Sequence, residues 1–238
     1  MKLNLKKSGS ILVSVALGLS VLAATPAMAA DTSTSTATAG YTGITGLLYM
    51  GVSGTSVTNL QQDLRTIGLF TYPSNTGYFG SVTDAAVRSF QSNYGLVVDG
   101  VVGPATNRAL GQALTMAKVA ADSTQYTGTP YVWGGASPTA GFDCSGFVWY
   151  MYQSHGLPLQ RYSSQVYFTM GTPVSQSNLL PGDLVFYTLD SQGTASHMGI
   201  YLGNNQWISA TSSKGIWTYT LDNPYWAARF LGARRILF

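Results

Sequence analysis

The chain contains a single cysteine, Cys144, among its 238 residues, so no disulfide can form within it. Its fold must therefore be held together by packing alone. Hydrophobic residues make up 45% of the sequence, which is enough to bury a sizeable core, and the length suits two modest domains. The thiol has three possible fates: a buried inert group, a bridge between chains, or a group kept for chemistry.

The first 29 residues have the pattern of a secretory signal peptide. Lys2, Lys6 and Lys7 precede an apolar run over residues 11–24, and Ala-Met-Ala at residues 27–29 is typical of a cleavage site. The apolar run is too short to predict a membrane span. We therefore expect a secreted or cell-wall-associated protein with no membrane attachment after cleavage.

The net charge and the numbers of His and Cys residues argue against nucleic-acid binding and against a zinc site. Three of the twelve Lys and Arg residues lie in the leader, and the remaining nine balance nine acidic residues, all of them aspartate. A near-neutral mature chain argues against nucleic acid as a partner. Two histidines and one cysteine are too few for the usual zinc sites, so we expect no metal and no cofactor. Nothing in the sequence requires more than a monomer.

Residues 47–112 predict a small helical domain. Apolar residues at helical spacing indicate a first helix capped by Thr55 or Ser56 and a second helix capped by Thr83. A turn then precedes a short third helix with Pro104 at its first position. A separate alanine-rich helix is expected to lead into the second domain.

The segment GYFGSVTDAAVRSFQSNYGLVVDGVVGPATNRAL resembles the three-helix peptidoglycan-binding domain found beside cell-wall hydrolases. The resemblance covers about residues 48–110 and implies peptidoglycan as a partner, bound in a shallow groove between helices. Tyr72, Tyr78 and Phe79 are candidates for the rim of that groove, because exposed aromatic faces suit sugars and peptides. Packing of their own loop is the alternative role for these three residues.

The sequence around Cys144 predicts a nucleophile at the start of a helix. Apolar residues at helical spacing follow it, and His155-Gly156 supplies a stop, so Cys144 falls in the first turn. The helix dipole there favours an anion and should lower the pKa of the thiol. Gly134 and Gly135 allow the backbone to approach closely in front of it.

The segment HMGIYLG predicts a strand that places His197 on one face. A turn at residues 203–205 returns the chain as a hairpin, and if Leu202 faces Gln206, Ser209 and Thr211 lie on the His197 face. Either hydroxyl could then support the imidazole. A histidine that makes only a local hydrogen bond is the alternative.

From about residue 128 to the end, the chain resembles cell-wall cysteine peptidases of the NlpC type, a papain-like family. PYVWGG, GFDCSGFV, LPGDLVFY, HMGIYLG and GARRI occur in that family's order. The resemblance implies that Cys144 is the nucleophile and His197 its base. It also implies that Tyr131 helps to stabilise the oxyanion, and that Asp143 and Ser145 hold the substrate's peptide. Family members most often cut peptidoglycan stem peptides between D-glutamate, linked through its γ-carboxyl, and the following diamino acid.

The chain departs from this family at one position. The family usually has His, Asn or Gln in the strand after HMGIYLG to orient the imidazole, and the alignment puts Ser209 there. A serine hydroxyl can accept the imidazole N–H but carries no charge to stabilise imidazolium. Three functions therefore stay open: a peptidoglycan hydrolase, a related cysteine amidase or acyl transferase, and a wall-binding protein with a weakened or inactive peptidase domain.

Together with these patterns, the two resemblances imply an α+β protein in which a small all-α binding domain precedes a papain-like catalytic domain of helices and antiparallel sheet. The expected order is a signal peptide at 1–29, a flexible Thr/Ser/Ala/Gly-rich linker at 30–46, the binding domain at 47–112 and the peptidase domain at 113–238.

Overall fold

A computed structural model describes residue 44, residues 46–190 and residues 192–238. The predicted signal peptide and nearly all of the predicted linker lie outside the described residues. Within the described part of the chain, no helix is both long and apolar enough to cross a membrane. The described residues fold as helices followed by an antiparallel sheet, so the predicted α+β class is confirmed.

Three helices form the N-terminal domain: α1 (Thr55–Thr66), α2 (Ser81–Asn93) and α3 (Pro104–Ser123). Pro104 occupies the first turn of α3 as predicted. The predicted caps are wrong, because Gly54 and Gly80 stand at the N-caps of α1 and α2. Thr83 lies inside α2, where its buried hydroxyl accepts a hydrogen bond from Gln61 Nε2 at 3.0 Å.

Two buried glutamines tie the loops of this domain to its helices. Gln61 Nε2 donates to Thr83 Oγ1, and its Oε1 accepts from the Gly77 backbone N–H at 3.0 Å. Gln91 repeats the arrangement one helix later, donating to Thr106 Oγ1 at 3.2 Å and accepting from the Gly100 N–H at 2.9 Å. Both amides are therefore paired, as burial of a polar group requires.

The loop between α1 and α2 contributes to the core of the domain. Phe79 is fully buried there, so its predicted place on a binding rim is wrong. Tyr72 and Tyr78 are exposed and remain candidates for that rim. The buried apolar residues that surround Phe79 include Leu60, Leu64, Val87, Phe90 and Leu110.

Helix α3 runs without a break across the predicted boundary at residues 112 and 113. Leu110, Ala113 and Ala117 pack into the core of the helical domain, whereas Met116 and Val119 pack into the core of the following domain. One 20-residue helix therefore replaces the two separate helices expected here. The two sets of residues lie on different faces of α3, so both domains stabilise the same helix.

The second domain is built on a six-stranded antiparallel sheet. Its strands are β3 (Thr172–Val174), β4 (Leu184–Tyr187), β5 (His197–Gly203), β6 (Gln206–Thr211), β7 (Gly215–Thr220) and β8 (Phe230–Arg235), in the order β3-β8-β4-β5-β6-β7. A two-residue hairpin, β1 (Ala136–Ser137) and β2 (Gly141–Phe142), precedes α4 (Cys144–Ser154). Two short helices, α5 (Ser164–Phe168) and α6 (Pro224–Ala227), and two 3-10 helices, Thr124–Tyr126 and Gln176–Asn178, complete the described fold.

The pairing of β5 with β6 follows the predicted register over most of its length. Ile200 pairs with Ile208 and Tyr201 with Trp207, whereas the end of the hairpin shifts so that Gly203, rather than Leu202, pairs with Gln206. A left-handed turn at residues 204 and 205 accommodates the shift. Trp207 therefore lies on the same face of the sheet as His197, as expected.

A buried ion pair lies where the two domains meet. Arg235 on β8 donates to both oxygens of Asp183, at 2.8 and 2.7 Å, and both residues are almost fully buried. Arg235 also donates to the Asn93 carbonyl at 2.7 Å and lies over the ring of Tyr94, both of which belong to the helical domain. The last strand of the sheet is thereby fixed to the end of α2.

Candidate active site

Helix α4 begins at Cys144, as the sequence predicts. Asp143 is its N-cap, and the carboxylate accepts the Gly146 backbone N–H at 2.6 Å. The helix start packs closely against the preceding glycine loop: a Cβ on Gly146 would lie 2.0 Å from the Gly135 carbonyl oxygen. Gly135 is equally confined, since a Cβ there would lie 2.5 Å from the Gly141 carbonyl. Glycine is therefore required at both positions.

The Cys144 thiol has a raised pKa, which overturns the expected lowering. Burial raises the pKa of Cys144 to about 11, and the carboxylate of Asp143 adds to the effect. Backbone hydrogen bonds from Met198 and Ser145 and the charge of Arg161 act in the opposite direction but are weaker. The free thiol is consequently protonated at neutral pH. The Met198 contact places it beside strand β5, next to His197.

Asp143 and Ser145 are both held by Arg161. The Arg161 guanidinium donates to both Asp143 oxygens at 2.9 Å and to Ser145 Oγ at 2.8 Å. Asp143 also accepts the Ser145 hydroxyl at 3.1 Å and the Gly134 N–H at 3.0 Å. This network fixes the residues on either side of Cys144 and leaves Arg161 partly exposed.

His197 is the first residue of β5 and lies directly opposite Tyr187 on β4. The side chain is only 5% exposed and is surrounded by aromatic rings. Trp226 stacks on it, with ring centroids 5.2 Å apart and 21° between the planes, and Trp207 meets it edge-on at 6.0 Å and 71°. Burial lowers the pKa of His197 to about 4, so the imidazole is neutral at pH 7 and can accept a proton.

Ser209 does not accept a hydrogen bond from the imidazole, although the sequence alignment placed it there for that role. The residue is fully buried on β6, and its hydroxyl donates to the Met198 carbonyl at 2.6 Å. Thr211, the other hydroxyl considered for this role, is hydrogen-bonded to the Tyr219 hydroxyl at 2.8 Å. Among the residues described, none hydrogen-bonds to His197 Nε2.

Tyr131 lies beside the cysteine, as the family resemblance implies. Its backbone forms a bridge with Phe142, one residue before the N-cap of α4. Burial raises the pKa of Tyr131, and the nearby Cys144 and Asp143 raise it further. The phenol therefore stays protonated and can donate a hydrogen bond.

A cleft of about 1180 Å³ brings these groups together. Tyr131, Cys144 and His197 line it, as do Asp143, Ser145 and Arg161. Ser209 is absent from its wall, in keeping with its hydrogen bond to the strand behind. The cleft thus offers a thiol, a neutral imidazole, a phenol donor and a partly exposed guanidinium to one bound molecule.

Two residues of the site were not found by sequence reasoning. Arg161 follows Asp143 by 18 residues and lies in a polar loop with no periodic pattern. Trp226 lies in the four-residue helix α6, far from His197 in sequence. An arginine near a run of hydroxyl residues, Tyr162 to Ser164, was the one signal available for the first. No sequence pattern relates Trp226 to His197.

His155, assigned from sequence to a structural role at the end of α4, has that role. It stands at the C-cap, with its Nδ1 2.7 Å from the Met151 carbonyl and its Nε2 3.0 Å from Asp122. His155 therefore does not line the cleft that contains His197.

A cysteine at the start of a helix that packs on an antiparallel sheet, with a histidine on a central strand, defines the papain-like class of cysteine-histidine folds. Residues 128–235 match the model of the NlpC/P60 family. The "Probable endopeptidase NlpC" of Escherichia coli (strain K12) is 42% identical over 135 residues, which cover 56% of this chain and 86% of that protein. The chain belongs to the NlpC/P60 family.

Other relatives share the same segment within longer proteins. The "Probable peptidoglycan endopeptidase LytE" of Bacillus subtilis (strain 168) is 42% identical over 52% of this chain and 35% of its own length. The "Gamma-DL-glutamyl hydrolase" of the same organism is 37% identical over 49% of this chain and 28% of its own length. The chain thus spans about a third of these two relatives. The named relatives are hydrolases, and two of the three are named as endopeptidases.

The helical domain has a match of its own. Residues 53–110 match the family model of a peptidoglycan-binding domain. The match covers all of α1 and α2 and the first part of α3. The resemblance seen in the sequence is therefore confirmed for both parts of the chain.

Proposed function

We propose that this protein is a secreted or wall-associated peptidoglycan hydrolase that cleaves the bond between γ-linked D-glutamate and the following diamino acid. The proposal rests chiefly on the shared cleft of Cys144 and His197. Family membership and the peptidoglycan-binding match support the substrate class, and the relative named for γ-DL-glutamyl hydrolysis supports the bond.

In the proposed reaction, His197 accepts the thiol proton as the Cys144 sulfur attacks the carbonyl carbon. The raised pKa of the thiol and the lowered pKa of the imidazole mean that both are neutral before attack, so proton transfer accompanies bond formation. The tetrahedral intermediate then expels the amine of the diamino acid, which takes the proton from His197. Water hydrolyses the resulting thioester and releases the D-glutamyl carboxylate.

Two donors are proposed for the oxyanion. The Cys144 N–H is one of the first N–H groups of α4, which have no carbonyl partner within the helix. The protonated phenol of Tyr131 is the other. Removing one donor of this kind typically costs about 10²–10³ in rate.

The position of Arg161 in the cleft supports γ-linked D-glutamate as the residue that the protein recognises. Glutamate joined through its γ-carboxyl keeps a free α-carboxylate close to the scissile bond, and the partly exposed guanidinium of Arg161 lies in the cleft beside Ser145. The two terminal nitrogens of Arg161 already donate to Asp143, Ser145 and the Tyr162 carbonyl, which leaves its Nε–H as the donor of a charge-assisted hydrogen bond to such a carboxylate. We assign Asp143 and Ser145 the role of holding Arg161 and the peptide, and Ser209 the role of fixing β5 through the Met198 carbonyl.

The test is incubation of purified muropeptides with the full chain, followed by mass spectrometry, with Cys144→Ala as control. Release of the diamino acid and the residues attached to it, leaving a terminal D-glutamate, supports the proposal when it depends on Cys144. Muropeptides carrying meso-diaminopimelate and lysine are run separately, so that the preferred diamino acid is measured. Cleavage at any other bond refutes the proposed specificity.

One observation favours a second function. The hydroxyl of Ser209 is directed to Met198, so the imidazole lacks the polar support expected at this position. A wall-binding protein with a weakened peptidase domain would have this feature. Binding to sedimented peptidoglycan without cleavage of any muropeptide would support that alternative.

A further inference from the structure

The imidazole of His197 is held by aromatic packing on one face and one edge. Trp226 lies almost parallel to it at a centroid distance of 5.2 Å, an offset-stacked arrangement, and Trp207 presents its ring at 71°. His197 is 5% exposed and Trp226 is 6% exposed, so the two rings exclude water from each other. Tilting the imidazole out of its present plane would break the stack.

Trp226 is itself firmly placed. Helix α6 is capped by Asn223, whose side-chain oxygen accepts the backbone N–H groups of Tyr225 at 3.1 Å and Trp226 at 3.4 Å. The indole also packs edge-on against Trp207 at 4.9 Å and against Tyr187 at 5.1 Å. The stacking surface is therefore fixed from two sides, by the backbone of α6 and by the sheet.

In the described part of the chain, no polar group orients the imidazole of His197. Ser209 and Thr211 direct their hydroxyls to Met198 and Tyr219, and no described residue hydrogen-bonds to His197 Nε2. The orientation of the ring is thus set by shape. We propose that Trp226 is a positioning residue that holds His197 in line with Cys144, in place of a polar third residue. The inference rests on the proposed Cys-His reaction but not on any particular peptidoglycan bond.

Alkylation of Cys144 by iodoacetamide, without substrate, tests the proposal. The second-order rate at pH 7.5 reports how well His197 assists removal of the thiol proton, and His197→Ala sets the unassisted rate. A displacement of a base by about 1 Å can cost up to roughly a hundredfold. We expect Trp226→Leu to slow alkylation by about tenfold and Trp226→Phe, which keeps an aromatic face, to stay within about twofold.

Trp217→Leu is the matched control. Trp217 is 42% exposed on β7, and its ring contacts Lys214 rather than His197. The alkylation rate of this variant should equal that of the unaltered protein. An unchanged alkylation rate in Trp226→Leu, with a raised KM for muropeptides, would show that Trp226 only contacts substrate and would overturn the proposal.

A second measurement needs no variant at Trp226 and so does not depend on its folding. The chain has two histidines, so its proton NMR spectrum contains two imidazole Cε1–H signals, and His155→Gln assigns them. Stacking under Trp226 predicts an upfield ring-current shift for His197. A signal at the ordinary position for a free imidazole would refute the stack.

Different results would refute the proposed substrate and the proposed positioning role of Trp226. If no muropeptide is cleaved but alkylation depends on Trp226, the positioning role stands and the proposed substrate is wrong. If muropeptides are cleaved while Trp226→Leu reacts and turns over normally, the substrate stands and the positioning role is wrong.

Discussion

Replacement of Asp183 by asparagine should destabilise the protein more than any comparable change at its surface. Asp183→Asn keeps the shape of the side chain but removes the charge that neutralises Arg235, and the two side chains are only 2% and 3% exposed. Breaking a buried pair in this way costs about 3–5 kcal/mol, because the remaining charge cannot be hydrated. The two carbonyl contacts of Arg235, to Asn93 and Asn178, satisfy its N–H groups but do not neutralise it.

Urea unfolding followed by tryptophan fluorescence measures this loss as a change in midpoint at constant slope. Asp84→Asn is the matched control, since it removes the same group from a pair with Arg88, whose side chain is 44% exposed. An exposed pair of this kind is worth about 0.2–1 kcal/mol. The prediction would be refuted if Asp183→Asn and Asp84→Asn lowered the free energy of unfolding equally, or if Asp183→Asn lowered it by less than about 1 kcal/mol. Either result would show that the buried pair does not stabilise the contact between the domains.

Three further outcomes are expected. In His197→Ala, where no imidazole assists, the alkylation rate of Cys144 should rise about tenfold per pH unit from pH 6 to 9, because a thiol with a pKa of about 11 forms more thiolate throughout that range. A rate that levels off below about pH 7 in that variant would contradict the raised pKa of the thiol. Burial lowers the pKa of His197 from 6.5 to about 4, so on acidification the unfolded chain binds this proton at a higher pH than the folded protein does. The free energy of unfolding should therefore fall by about 3 kcal/mol as the pH drops from 6.5 to 4. In urea titrations, His197→Gln should lose this dependence on pH. Gly199→Ala should destabilise the domain by about 1–3 kcal/mol in the same assay, because its Cβ would lie 2.5 Å from the Ile208 carbonyl and 2.6 Å from the Trp207 ring; unchanged stability would contradict that packing.

Local sequence patterns predicted the parts of the site that lie within one element. The spacing behind Cys144 placed it correctly in the first turn of α4, and the alternation around His197 gave the correct face of β5. These predictions succeed because helix and strand periods are properties of a short segment. The glycine contact between Gly135 and Gly146 follows from the same local chain path.

The features of the site that sequence patterns could not predict depend on long-range contacts. Arg161 reaches Asp143 from a loop, and Trp226 reaches His197 from helix α6, so neither pairing has a periodic signal. The pKa of Cys144 was predicted with the wrong sign because the helix start favours a thiolate, whereas burial beside Asp143 opposes it more strongly. Only the packed fold determines which of those effects is larger.

The break expected within α3 has a similar cause. The turn residues near Pro104 and the alanine-rich segment after Gly111 have different compositions, which favoured two helices. In the fold, Leu110 and Met116 bury their side chains in different cores along one helix axis. Tertiary packing on both sides makes the continuous helix more stable than a break.

The most direct test of the proposed chemistry is rapid-quench mass spectrometry of the full chain mixed with a muropeptide. The proposed reaction predicts a transient covalent adduct on the peptide that contains Cys144, with a mass equal to the muropeptide portion that ends in D-glutamate, less one water. Cys144→Ala should form no adduct and no product. Product formation by Cys144→Ala, or an adduct that ends in any residue other than D-glutamate, would contradict the proposal.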